Sequence, residues 1–156
     1  MANAAATMVG QALGAKNPER AERAVWKAGF YNMIFLGVVG LLFIFFAPQI
    51  IWFYTDDPNV AHYGVDCLRI VAYGFLFYAY GMVLGQSFNG AGDTWTPTII
   101  NLFVFWFWEI PLGYVLSVRL ALGPRGVFWA ITVAFSTLAV VSALVFRRGH
   151  WKRKAV

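Results

Sequence analysis

AGFYNMIFLGVVGLLFIFFAPQIIWFYT, residues 28 to 55, holds no Asp, Glu, Lys or Arg and lies between Lys27 and Asp56. A helix needs about 20 apolar residues to cross a hydrocarbon core about 30 Å thick, and this stretch is long enough. Runs such as Leu41-Leu42-Phe43-Ile44-Phe45-Phe46 do not alternate in polarity, as the strands of a membrane β-barrel would. A helix satisfies its own backbone in lipid, so the stretch reads as a spanning helix.

Three further stretches follow the same logic. Arg69 to Asp93 and Arg125 to Arg147 enclose uncharged gaps, and Asp93 to Arg119 is broken only by Glu109. Four spans are expected: A (about 26–47), B (about 58–90), C (about 97–120) and D (about 126–147). The whole composition agrees. Of 156 residues 60% are hydrophobic, 19% aromatic and 12% charged, with mean hydropathy +0.64. Soluble domains carry about 25% charged residues, and a chain this short leaves much of its surface outside the core. The fold class is all-α integral membrane.

Local signals mark the ends. Asn17-Pro18, Asp57-Pro58 and Thr96-Pro97 each set a side-chain acceptor before proline, the pattern of an N-cap followed by N1. Gly90 and Gly92 close span B. Trp26 and Trp52 bracket span A about 39 Å apart, as interfacial rings do. Asp66 is spaced to meet both His62 and Arg69 on a helix surface, a neutralised start to span B. The segment before span A holds Lys16, Arg20, Arg23 and Lys27, and the tail holds Arg147, Arg148, Lys152, Arg153 and Lys154. Four spans bring both segments to one side, which the positive-inside rule makes cytoplasmic. The net charge of +5 is thus a topology signal, with attraction to anionic lipid. Nucleic acid is not an expected partner, because the basic residues sit at membrane boundaries.

Residues 1–15 are small and mostly apolar and lack the basic region that opens a signal peptide. They read as the last turns of a membrane helix whose first half precedes the chain. An internal echo links them to span B: Gly10-Gln11 with Gly14-Ala15, and Gly85-Gln86 with Gly90-Ala91.

Val9-Gly10-Gln11-Ala12-Leu13-Gly14-Ala15 with Asn17-Pro18-Glu19-Arg20-Ala21 resembles the loop after the second helix of a six-helix lobe in the multidrug and toxic compound extrusion (MATE) transporters. Gly90-Ala91-Gly92-Asp93-Thr94-Trp95-Thr96-Pro97 resembles their loop between the fourth and fifth helices. Glu109-Ile110-Pro111-Leu112-Gly113-Tyr114 looks like the fifth helix itself. The resemblance implies a twelve-helix, two-lobe antiporter that exports drugs or organic cations in exchange for H⁺ or Na⁺. This chain would be the end of its eighth helix plus helices nine to twelve, a partial C-terminal lobe over 1–156. Implied with it are a small-molecule cargo, a coupling ion, surrounding lipid, the N-terminal part of the transporter as partner, and a bacterial inner (plasma) membrane location. Members with an acid on the tenth helix differ here, since Tyr78 stands near that place.

Glu109 is the foremost candidate residue. A charge at the bilayer centre costs about 2.5–3.5 kcal/mol on insertion scales and usually faces a bundle interior or a wet cavity. It either lines the cation pathway or exchanges a proton, or else, protonated or hydrogen-bonded, it locks span C to a neighbour. Pro111 removes a backbone bond and is expected to kink span C. Gln86, Asn89, Asn101 and Asn32 either line a polar cavity or hydrogen-bond between helices. Gly74, Gly81 and Gly85 share a face of span B, and Thr132, Ser136, Ala139 and Ala143 a face of span D. Both are expected to be packing seams.

Enzyme chemistry has little support. His62 and His150 lie at opposite ends of the topology, Cys67 is the sole cysteine and reads as a buried helix residue, and Gly90-Ala91-Gly92 follows a helix rather than a strand. No cofactor or metal is expected. Two alternatives to a transporter fragment stay open at this level: a self-contained four-helix exporter, and a membrane subunit that transports nothing itself.

Overall fold

The structure, a computed structural model, describes residues 1–153; Lys154 of the basic tail lies outside the described residues. All secondary structure among these residues is helical: α1 (Ala2–Gly14), α2 (Pro18–Tyr54), α3 (Pro58–Tyr73), α4 (Phe75–Gly90), α5 (Trp95–Arg119), α6 (Pro124–Arg147) and a short turn over His150–Arg153. Three helices are long and apolar enough to cross a membrane, and the bent pair α3–α4 can supply a fourth span.

α2 extends past the expected span at both ends. Its 37 residues reach about 56 Å at 1.5 Å each. Asn17 caps it, accepting from the Arg20 N–H at 3.0 Å, and Asp57 caps α3 through Asn59 at 2.9 Å. Pro48 lies inside α2. It has no N–H to give the carbonyl of Ile44 four residues back, and Arg69 of α3 donates its Nε to that oxygen at 3.2 Å. Arg69 is therefore not the partner of Asp66. Arg125 of α6 takes that role at 2.6 Å, with His62 3.6 Å from the same carboxylate. A spacing rule for one helix could not see a partner 59 residues away. Trp26 also departs from expectation. It is half-buried under the Arg147 guanidinium and packs on Tyr80 and Phe146. Cys67 is half-buried rather than buried.

Span B is not one straight helix. α3 and α4 meet at Gly74 with a bend of 58°. The Gly74 N–H turns to Val71 at 3.0 Å instead of Ile70, and the Thr132 hydroxyl of α6 donates to the Ile70 carbonyl at 2.9 Å. A Cβ on Gly74 would stand 3.1 Å from the Thr132 methyl, and one on Gly81 would meet Ala139 at 3.6 Å. The two small-residue faces thus pack on each other, except that Gly85 has open space. Thr132→Val should leave the Ile70 carbonyl without that donor and cost about 1–3 kcal/mol. Thermal unfolding in detergent checks this, and an unchanged midpoint would mean that the hydroxyl does not hold the break.

The internal echo has a structural counterpart. α1 ends with Lys16 at φ 56 and the Asn17 N–H on Ala12 at 2.9 Å. α4 ends with Gly92 at φ 73 and the Asp93 N–H on Phe88 at 2.9 Å. Both are six-to-one helix closures with a left-handed residue. Each hands over to an Asx cap three residues ahead of its N–H: Asn17 to Arg20, and Asp93 to Thr96 at 3.2 Å. Thr96 is accordingly not a cap. Its own hydroxyl donates to the Asp93 side chain at 2.6 Å.

α4 is the central post, packed by α1, α2 and α6. α5 leans on α6 and touches α4 only near its own start, which leaves a cleft between α4 and α5. Around Pro111 the backbone winds as π-helix over Leu102–Glu109 and Val115–Arg119, with an α segment at Ile110–Tyr114 between. At the far end Trp151 is buried, stacked on Phe146 at 4.6 Å, with its indole N–H on the Phe146 carbonyl. Lys152 beside it bonds Glu22.

Candidate functional site

The cleft between α4 and α5, floored by Leu138 of α6, is a cavity of about 230 Å³. Gln86 and Asn89 enter it from α4, three residues apart and so on one face. The Asn89 amide donates to the Gln86 side-chain oxygen at 3.3 Å. Asn101 enters from α5 at the end of its first α-helical segment. Gly85 leaves the wall open, Pro97 lies one turn before Asn101, and Tyr78 and Phe105 supply two rings. None of the residues lining it is charged. One wall of the cleft presents amides to open space rather than to packed side chains. The arrangement suits a guest that needs hydrogen-bond acceptors and aromatic faces.

Three of the polar candidates, Gln86, Asn89 and Asn101, therefore share one cavity. Glu109 does not line it. It lies eight residues past Asn101, at the end of the π-helical stretch Leu102–Glu109, and is half-buried. No hydrogen bond or ion pair from the described residues reaches its carboxylate. Pro111 is exposed, with π winding on both sides of it. Asn32 belongs to packing, since its amide donates to the Ala79 carbonyl at 3.0 Å in a buried bridge from α2 to α4.

Sequence reasoning missed Phe105 as a lining residue. The signal was present, because it follows Asn101 by four and so shares its face. Tyr78, which stands near the place of the tenth-helix acid of similar transporters, lies eight residues before Gln86, about two turns away.

Comparison with known proteins places this geometry. Residues 1–115 match the MatE family model. The chain is 32% identical over 160 residues to a probable multidrug resistance protein NorM of Caulobacter vibrioides, covering 99% of this chain and 33% of that one. It is 26% identical over 156 residues to protein DETOXIFICATION 14 of Arabidopsis thaliana, covering 97% and 31%. Among solved structures, an inward-facing multidrug resistance MATE family transporter of the MOP superfamily superposes with TM-score 0.88 at 23% identity, over 99% of this chain and 36% of that one. An outward-facing one gives 0.88 at 24%, over 95% and 33%. The chain spans about a third of the length of the curated relatives it matches. The helices and their order are those of this transporter fold, and the chain belongs to the MatE family.

Proposed function

We propose that the chain forms part of the C-terminal lobe of a secondary antiporter that exports drugs or organic cations in exchange for H⁺ or Na⁺. Its cavity between α4 and α5 would lie on the cargo's path. One observation carries this reading: amides from two separate helices, Gln86, Asn89 and Asn101, converge on an uncharged, ring-lined space between them. The relatives' names speak of multidrug resistance, which agrees with a wall that offers dipoles and aromatic faces rather than a fixed ion pair. In this reading Glu109 serves proton or cation exchange from a position outside the cavity. The basic ends face the cytoplasm of a bacterial inner membrane, and rocking of two lobes alternates access.

The test replaces both amides in the product of the complete open reading frame and follows export in everted vesicles. Each lost hydrogen bond is worth about 1 kcal/mol, so Gln86→Leu with Asn101→Leu should raise the half-saturating cargo concentration about tenfold or more. An unchanged half-saturation in correctly inserted protein removes the cavity from the path.

A further inference from the structure

The break at Gly74 opens a second cavity, about 260 Å³, between the α3–α4 corner and α6. Val71, Phe75, Ile131 and Phe135 make it apolar, and the Thr132 hydroxyl at its edge already serves the Ile70 carbonyl. Tyr78 lines both this cavity and the amide-walled one. Its ring stands edge-on to Phe135 at 4.8 Å and 84°. Phe135 in turn meets Phe105 at 5.4 Å and 66°, and Phe105 lines the amide side. Three rings in T-shaped contact therefore form the partition between an apolar chamber and a polar one.

Such ring contacts are interchangeable: a guest ring can take the place of one partner with the same edge-to-face geometry. The ring faces also attract positive charge. Neither chamber is lined by a carboxylate, so a cation held here is met by ring faces and amide oxygens alone. We infer that the two cavities are halves of one bipartite site for an aryl-bearing organic cation, with Tyr78 as the residue that sets selectivity for the aryl part. The aromatic body occupies the chamber at the α3–α4 break and the polar head meets Gln86, Asn89 and Asn101. This rests on the reading of the amide cavity as the cargo path and adds to it a second chamber and a discriminating residue.

The test measures binding of two cations, ethidium and tetraethylammonium, to the complete open-reading-frame product in lipid nanodiscs. Tyr78→Leu keeps volume but removes the ring, and should weaken ethidium about tenfold while moving tetraethylammonium less than about twofold. Tyr78→Phe should keep ethidium binding within about twofold, and it guards against a folding effect in the leucine variant. Equal losses for both cations in Tyr78→Leu, or no loss for either, would overturn the bipartite site. The double variant Gln86→Leu, Asn101→Leu separates the two levels. If it weakens both cations while Tyr78→Leu is indifferent, the cargo cavity stands and the aryl chamber falls. If it weakens neither, both fall.

Discussion

Gly90→Ala is expected to unseat α1 from α4. A Cβ at Gly90 would collide with the Ala6 carbonyl oxygen and stand 2.7 and 2.8 Å from the Ala6 Cα and carbonyl carbon. These are backbone atoms, so no rotamer change relieves the contact, and one helix must move. Overpacking of this kind costs about 1–3 kcal/mol, and more where only main chain can yield. Alanine's better helix propensity, up to about 1 kcal/mol over glycine, offsets part of it. Gly85→Ala is the matched control, since no heavy atom lies within 4 Å of the Cβ it would add. Unfolding followed by tryptophan fluorescence in detergent should show Gly90→Ala melting several degrees below the parent, at about 2–4 °C per kcal/mol. Gly85→Ala should melt at or slightly above the parent. Equal midpoints for the two variants would mean that α1 is not held against α4 at this point.

Glu109→Leu should ease insertion of α5 into a bilayer by about 2.5–3.5 kcal/mol, an effect large enough to turn a hesitant span into a committed one. The acid sits well inside the 25 residues of Trp95–Arg119, and the described residues offer its carboxylate no hydrogen bond to lower the cost. A glycosylation-mapped insertion assay on residues 97–120 reads the difference directly, and equal insertion of both forms would show that the acid is already neutralised. Glu109→Gln keeps the shape and removes the titration, so export by the complete transporter should lose its dependence on pH. Export with an unaltered pH profile would leave Glu109 a bystander.

Charge gaps made the helical membrane class legible, and three loop and helix motifs made the family legible. Details set by partners were hidden. The break at Gly74 has no proline to announce it; it depends on Thr132, 58 residues later, to take the carbonyl that the bend releases. Arg69 was assigned to Asp66 because both lie on one helix surface, yet Pro48 in another helix creates a hungrier acceptor at Ile44. Periodicity found the face of Gly74, Gly81 and Gly85, but the tightest backbone approach on span B falls outside that face, at the helix-closing Gly90 against Ala6. At the candidate site, Gln86 and Asn101 stood out as amides within apolar runs. The aromatic partition did not: Tyr78 stood out only by the place of a family acid, and Phe105 and Phe135 look like any other rings in a chain that is 19% aromatic.

Trp151 shares a buried cluster with Ala5, Val9 and Ala12 of α1 and with Phe88 of α4. That contact joins two segments more than 130 residues apart in sequence. Contacts of such long separation form late, so the seam around α1 stays open in the folding chain until the segment that carries Trp151 reaches it, and surface left bare in the interval invites aggregation or capture.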